Sequence, residues 1–452
     1  MLVRDIDAMT NNKYGKAIYK YLRWQNKYDS SHTIVIGHNN PLPDGDCICA
    51  THGFAYSMAL LVNDMKAEKG SNDTIEIQYA ASPNPYISKV LDYVDGVFKR
   101  MDCLSSMKHY PIKRSFDYFN DPNEAFENRI IHAIDGKDKK GLAIFVLDTD
   151  YQRTGYQDTL DRLDDIVKRY GFEHEDVFFG IIDHHIPKEG FDVTPKSFSD
   201  IDDNCFELIF PSNALNGAAS STCEIVMNIL STYSFRFKEL DAFKSLDENN
   251  YKVYAEIYMS TMGKILMGGI RTDTGNLAFN GHGSAIMSIG EFIYKYGLKS
   301  SEDLSVDQNL IQSIVEPKKS IKNGFIYSYL HDNVESSKDG FAYLIAKDEE
   351  HGEYKNFLSE NGIKPIHILQ EYEWKAAVAI TIDKTKRTLK LELRSTNEKY
   401  NCRKLAQAIH PTGGGHLQAA GVTIEVPEDK IMLDEANRLV REFIDYMREC
   451  EK

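Results

Sequence analysis

The chain of 452 residues is 42% hydrophobic and 27% charged, a balance that supports two or three packed domains and excludes fibrous and intrinsically disordered classes. Its net charge of −15 repels long polyanions, which excludes a protein that coats DNA or RNA over many phosphates. No apolar run reaches the roughly 18 residues of a membrane span. The opening MLVRDIDAMTNNKYGKAIYK carries acids where a signal peptide is basic, so a cytoplasmic address is the default expectation. The seven cysteines follow no regular spacing, which predicts reduced thiols, and Cys47 and Cys49 stand too close together for a zinc knuckle.

In chain order, TIVIG (Thr33–Gly37), IEIQYA (Ile75–Ala80), LAIFVLD (Leu142–Asp148) and VFFGIID (Val177–Asp183) are short runs rich in Ile, Val and Phe that predict buried strands. Helical patterns such as Thr51–Val62 and Thr159–Tyr170 lie between them. Strand and helix in alternation predict an α/β fold whose N-terminal domain is a mostly parallel sheet flanked by helices. Residues 101–140, which include KHYPIKRSFDYFNDPNEAF, interrupt this rhythm and read as an insertion. A helix-rich stretch runs from about Ser220 to Lys319, and HDNVESSKDG (His331–Gly340) is polar enough to belong to a linker. Beyond it, AVAITI (Ala377–Ile382), the turn DKTKR and TLKLELRS (Thr388–Ser395) predict a hairpin with one buried face, because Leu389, Leu391 and Leu393 alternate with polar residues. EDKIMLDEANRLVREFIDYMREC predicts a closing helix. The expected division is a first domain over 1–318, a linker over 319–340 and a smaller C-terminal α/β domain over 341–452.

The strand endings carry the chemistry. In IVIGHNNPLPDGDCICA the first run stops on His38, with Asp44 and Asp46 beyond it. The third run ends in Asp148-Thr149-Asp150 and the fourth in Asp183-His184-His185, while ILMGGIRTDTG places Asp273 just past another apolar run. Any one of these is explained by a helix cap or a turn. Parallel strands, however, deliver their C-terminal ends to one rim, where ligands collect. Carboxylates and imidazoles crowded there repel one another unless cations lie among them. Mixed oxygen and nitrogen donors suit Mn²⁺, Fe²⁺ or Zn²⁺ better than Mg²⁺ or Ca²⁺. Two such ions about 3.5–4 Å apart, sharing one carboxylate, suit in-line attack of a bridging hydroxide on phosphorus. Phosphoester hydrolysis is the expected chemistry.

IIDHHIP carries the Asp-His-His signature of the DHH phosphoesterase superfamily, and GHNNPLPDGD, FVLDTDYQRTG and GGIRTDTGNLAF resemble its other motifs in the same order. AASSTCEIV (Ala218–Val226) resembles the serine-rich helix start that follows the signature, and PTGGGHLQAAG (Pro411–Gly421) resembles the glycine-rich signature of the accessory domain called DHHA1. The resemblance spans roughly residues 30 to 425. It implies a DHH catalytic domain followed by a DHHA1 substrate-binding domain. It further implies one metal held by His38, Asp44 and Asp148, and a second held by Asp46, Asp148, His184 and Asp273, with Asp148 bridging. By the same resemblance His185 orients the phosphate or protonates the leaving oxygen, and Asp183 supports the histidines. Two Mn²⁺ ions are the expected cofactor, with Mg²⁺, Co²⁺ or Fe²⁺ as substitutes. One departure is that Pro41-Leu42-Pro43 lengthens the family's His-x-x-Pro-Asp-x-Asp spacing. A stiff exposed bulge is the favoured reading, with Asn39 or Asn40 entering the site as the alternative. Asp150 is a rival bridge, but Asp148 directly follows the apolar run and Asp150 is assigned to a turn.

The C-terminal signature has a physical use of its own. In Gly413-Gly414-Gly415-His416 the missing Cβ atoms let a phosphate approach the backbone, whose N–H groups can form an anion-binding concavity. Between Lys384 and Lys404, basic residues outnumber Glu392 and Glu398, a local reversal of the chain's charge. The resemblance puts Arg394, Ser395 and His416 at the far end of a nucleotide, where an Arg can grip a phosphate bidentately. Arg153 and Arg271 flank metal motifs and are either phosphate contacts or ion-pair partners of the crowded acids. The expected activity is a metal-dependent phosphodiesterase for short nucleotide substrates: small oligoribonucleotides or linear or cyclic dinucleotides. The alternatives are a single-stranded DNA exonuclease of the RecJ type, a 3′-phosphoadenosine 5′-phosphate phosphatase and a catalytically inactive nucleotide sensor. The partners expected are short RNA, dinucleotide or nucleotide substrates, with no membrane, no long duplex, and a homodimer as a candidate assembly.

Overall fold

The computed structural model describes residues 12–39, 43–66, 73–81, 85–98, 112–117, 121–135, 141–185, 193–195, 198, 204–211, 219–233, 248–274, 282–296, 330, 332–346, 365–369 and 372–452. They fall into two compact units, the first from Met1–Pro83 and Ile87–Val315, the second from Asn84–Tyr86 and Glu316–Lys452. Within the described residues no helix is long and apolar enough to cross a membrane.

The first unit is built on β1 (Ser31–Ile36), β2 (Thr74–Tyr79), β3 (Lys113–Phe116), β4 (Gly141–Leu147), β5 (Val177–Asp183) and β6 (Cys205–Ile209). They form one sheet in the order β3-β2-β1-β4-β5-β6, and every pairing in it is parallel. β4 and β5 are buried along their whole length, which is why they read as continuous apolar runs. Their side chains nevertheless sort by face. Ile144 and Val146 join a core with Phe126 and Ile130 of a helix over Pro122–Ile134, whereas the Phe145 ring meets Tyr21 and Phe54 edge-on, each at 4.9 Å, on the other face. Helices therefore cover both sides: α1 (Lys13–Gln25), α2 (Gly45–Lys66), α3 (Pro85–Phe98), α4 (Pro122–Ile134), α5 (Gln157–Asp161), α6 (Leu163–Arg169), α7 (Thr222–Tyr233), α8 (Glu248–Asp273) and α9 (His282–Tyr296).

Three expectations change here. The stretch 101–140 supplies the edge strand β3 and the core helix α4, so in its described part it is woven into the sheet rather than inserted between strands. The helix expected over Thr159–Tyr170 is broken at Arg162, whose backbone (φ −103°, ψ 9°) leaves the helical region and divides α5 from α6. Asp273 ends a helix, α8, instead of following a strand.

The second unit is a mixed sheet of β7 (Val334–Ser336), β8 (Phe341–Ala346), β9 (Ala376–Asp383), β10 (Thr388–Ser395), β11 (Gly414–Gly415) and β12 (Ala419–Glu425), in the order β11-β12-β10-β9-β8-β7. Only β8 and β9 run parallel among these described pairings. β7 already belongs to this sheet, although its residues fall within the range expected to be linker. Alternation along β9 sends Val378 and Ile380 to one core and Ala377 and Ala379 to another. On the first side, Leu389, Leu391 and Leu393 of β10 pack with α11 (Cys402–Ile409) and α12 (Met432–Glu449), the latter through Leu439, Val440 and Phe443. On the second, α10 (Pro365–Leu369) contributes Ile366, Ile368 and Leu369.

Leu391 is fully buried, with Ile380 and Val422 at the neighbouring register positions. Leu391→Ala is expected to destabilise the second unit by about 2–5 kcal/mol. Denaturant-dependent amide hydrogen exchange across β9, β10 and β12 reads this directly, and unchanged protection there would refute it.

Candidate metal centre

The strand order places the switch point of the sheet between β1 and β4, whose onward connections lead to opposite sides. A crevice forms at the carboxyl ends of such a pair. His38 follows β1 there and Asp148 follows β4, with His38 Nε2 at 3.4 Å from Asp148 Oδ2. His184, just past β5, brings its Nε2 to 3.3 Å from the other oxygen of the same carboxylate. Asp148 holds a left-handed backbone, φ 64°, unusual for a residue with a side chain. Its N–H donates to the Ile182 carbonyl at 2.9 Å, and the Thr222 hydroxyl donates to Oδ1 at 2.9 Å.

Asp46 lies in the first turn of α2 and is completely buried. Its carboxylate accepts the backbone N–H groups of Thr222 (2.7 Å) and Cys223 (3.0 Å), at the start of α7, where the helix dipole favours negative charge. α8 reaches this point because of Gly269, where an added Cβ would run into Cys223 Sγ and lie 3.0 Å from Asp46 Oδ1. From the end of α8, Asp273 Oδ2 stands 3.4 Å from His184 Nε2, which is also 3.9 Å from Asp46 Oδ2. Asp44 approaches His38 at 3.9 Å from the rim.

Three sets of donor atoms, each lying within 4.8 Å of one another, include Asp148: Asp46, Asp148 and His184; His38, Cys47 and Asp148; and Asp148, Asp183 and His185. Their electrostatics report the crowding. Burial, with the charges of Asp148 and Asp273, holds the Asp46 carboxyl well above the usual carboxylate range. Burial pushes Asp273 up to about 6, against the pull of His184. Burial opposes the charge of Asp148 as well, but hydrogen bonds from His184 and His38 outweigh it and hold that carboxyl well below its ordinary value. Burial likewise opposes charging the two imidazoles. The groups around His38, Cys47 and Asp148 among them, and the carboxylates Asp273, Asp148 and Asp46 around His184, nonetheless raise both well above the usual histidine range. Buried carboxylates and imidazoles that stabilise one another only by holding protons are the donor set that a divalent cation replaces protons in.

His185 differs from His184. Its Nδ1 lies 2.7 Å from Asp183 Oδ1, which also accepts the His185 backbone N–H at 3.1 Å. Asp183 therefore orients His185, and the His185 side chain is 26% exposed while that of His184 is 1% exposed. Asp150 caps a short 3₁₀ turn at Tyr151–Arg153, and its carboxylate binds the Arg153 guanidinium at 2.9 Å, which gives both residues a structural task. Arg271 occupies the last turn of α8. Asn39 is drawn to the loop after β4, its N–H donating to the Arg153 carbonyl at 2.9 Å, while Asn40, Pro41 and Leu42 lie outside the described residues. The sequence reading missed Cys47 and Thr222 as neighbours of the centre. The serine-rich helix start was the available signal for Thr222.

In the second unit Arg394 and Ser395 end β10, and the Ser395 hydroxyl donates to the Asn397 carbonyl at 3.2 Å. The Arg394 Nη1 donates to the Leu393 carbonyl at 2.9 Å, and its buried Nε has no hydrogen-bond partner among the described residues. The glycine run is a tight β11–β12 turn. A Cβ on Gly413 would overlap the Ala406 carbonyl, and Gly415 has φ 127°, so packing and backbone shape demand these glycines. Its N–H groups are partly engaged, that of Gly413 by the His410 carbonyl (2.8 Å) and that of His416 by the Ala419 carbonyl (2.7 Å).

The DHHA1 domain family matches residues 338–448, in keeping with the resemblance to DHH/DHHA1 phosphoesterases carried by the motifs. No curated protein matches the sequence. Among solved structures, an exopolyphosphatase-related protein from Bacteroides fragilis is 18% identical, with 96% of this chain and 98% of that chain covered and a TM-score of 0.56. A putative family II inorganic pyrophosphatase from Methanococcus jannaschii is 12% identical, covering 91% of this chain and 99% of its own, with a TM-score of 0.30. A pGpG-specific phosphodiesterase from Vibrio cholerae is 10% identical, covering 82% and 98%, also with a TM-score of 0.30. The first likeness is one of fold, and the other two superpose too distantly to carry weight.

Every proton held by Asp46, Asp273, His38 or His184 must leave when a cation enters. A carboxyl or imidazole with a raised folded-state pKa makes the metal-free fold less stable as pH rises through that value, and a bound cation reverses the loss. The thermal midpoint gained on adding Mn²⁺ is therefore expected to grow as pH is raised from about 5 to about 8. Melting curves with and without Mn²⁺ check this, and a gain that shrinks with pH would contradict it.

Proposed function

We propose that this protein is a metal-dependent phosphoesterase that hydrolyses short nucleotide phosphodiesters. The observation that carries the proposal is Asp148, a single buried carboxylate held by the backbone at the switch point and common to the donor set of His38 and the donor set of His184. In this reading His38, Asp148 and Asp44 hold one divalent cation, and Asp46, Asp148, His184 and Asp273 hold the other. Bound there, a pair of cations would neutralise charge developing on a phosphoryl group and make a water acidic enough to act as a nucleophile near neutral pH.

The remaining work falls to protein groups. His185, steadied by Asp183 and the most exposed of the three site histidines, is placed to give a proton to the leaving oxygen. Asp46 is held away from water by the start of α7, so its carboxylate is oriented before any ligand arrives. In the second unit, Arg394, with its buried Nε, and Ser395 and His416 are candidates for contacts with a nucleotide. The acidic balance of the chain favours short substrates over long polyanions.

Mn²⁺-dependent hydrolysis of a cyclic dinucleotide, a linear dinucleotide, a short RNA, single-stranded DNA and 3′-phosphoadenosine 5′-phosphate tests the proposal. Cleavage of a dinucleotide or short RNA ahead of the other two is expected. Preference for long single-stranded DNA would shift the assignment to an exonuclease, and tight nucleotide binding without turnover would shift it to a sensor. Asp148→Asn is expected to remove the shared ligand and lower kcat by about 10³-fold or more, since several kcal/mol of charge stabilisation is lost. His185→Ala is expected to lower kcat by about 10²–10⁴-fold on a nucleotide while metal content stays unchanged. A substrate with a nitrophenolate leaving group needs no such proton, so His185→Ala should spare it. Equal loss on both substrates would remove His185 from the acid's role.

A further inference from the structure

Cys47 stands at the centre without a task in the reading above. It follows Asp46 in the first turn of α2 and is fully buried. Its Sγ, a ring nitrogen of His38 and a carboxylate oxygen of Asp148 lie within 4.8 Å of one another. Gly37 makes this approach feasible, because a Cβ there would lie 2.5 Å from the Cys47 sulfur. Asp44, expected as the third donor, stays at the rim. Its side chain is 45% exposed, and the oxygen nearest His38 at 3.9 Å also accepts the Cys47 backbone N–H at 3.1 Å.

We propose that Cys47 is a thiolate ligand to the cation held by His38 and Asp148, which makes this half of the centre a sulfur-containing site that prefers Zn²⁺, Co²⁺ or Fe²⁺ to Mg²⁺. The inference rests on the metal-centre reading above and adds a ligand to it. Thiolate sulfur selects borderline and soft cations, whereas Mg²⁺ keeps to oxygen donors. On binding, the S–H bond breaks, the proton leaves to solvent, and the sulfur lone pair is donated to the ion. No oxidation is involved. Burial holds the metal-free thiol up to about 11, but a cation at coordinating distance deprotonates a thiol outright. The competing role is a neutral thiol that only hydrogen-bonds His38 and leaves an oxygen–nitrogen site.

Anaerobic Co²⁺ titration of the full chain separates the two. The wild-type protein and Cys402→Ser, altered at a buried thiol of the second unit, are expected to show cobalt d–d bands together with a near-ultraviolet thiolate-to-cobalt band. Cys47→Ser should keep the d–d bands, lose the thiolate band, and bind Zn²⁺ about tenfold or more weakly. Wild-type d–d bands with no thiolate band would overturn the Cys47 ligand and leave the metal centre standing. No Co²⁺ retained by the wild-type protein would overturn the centre itself. If Cys47→Ser does not fold, cadmium NMR of the wild-type protein decides: a resonance shifted by sulfur supports the ligand, and one in the oxygen–nitrogen range rejects it.

Discussion

The repulsion among carboxylates brought to one end of a parallel sheet is the constraint to which the surrounding structure answers. Asp46, Asp148 and Asp273 all reach His184 within 3.9 Å, in a place where water is largely excluded. Unshielded charges at such distances cost far more than at a surface. The fold meets this locally in two ways. It aims the first N–H groups of α7 at Asp46, and it interleaves imidazoles between the acids. The residual strain appears in the displaced titrations of Asp46 and Asp273.

Asp148 concentrates this constraint because of how it is held. Its left-handed backbone departs from the extended path of β4 as soon as the strand ends, and the bond from its N–H to Ile182 ties the departure to β5. Asn39 ties the loop after β1 to the loop after β4 in the same manner, and Gly155, at φ 84°, makes room for the Asn39 side chain. Two neighbouring strand ends are thus locked to each other before either ligates anything. Backbone strain at this position is paired with a carboxylate whose two oxygens face different histidines.

Four strands of the first sheet, β1, β2, β4 and β5, were legible because buried parallel strands need unbroken apolar runs, and those runs differ from helical periodicity; β6, short and at the edge, was not. The acids and histidines at their ends were legible for the same reason, since an apolar run stops where a polar residue begins. What lay hidden depended on contacts between distant segments. Cys47 looks like any small core residue in the sequence, and only the path of α2 under Gly37 brings its sulfur to His38. Asp273 reads as one more strand ending because α8, largely buried between Tyr258 and Ile270, is as apolar near its end as a strand. β3 and α4 looked foreign to the sheet since β3 is short and only partly buried at an edge.

The distribution of burial across the centre argues for a division of tasks within one set of similar side chains. Asp46, Asp148 and His184 are almost wholly enclosed, so they meet only what the fold itself has admitted. His185 and Asp44 border the solvent, where a large ligand can arrive. The adjacent histidines just past β5 meet these different environments, His184 enclosed among Asp46, Asp148 and Asp273 and His185 held by Asp183. Asp183, the last residue of that strand, reaches forward to His185 and fixes its ring from the protein side. A sequence of three residues, Asp183-His184-His185, therefore yields an acid that orients its neighbour, an enclosed imidazole and an accessible one.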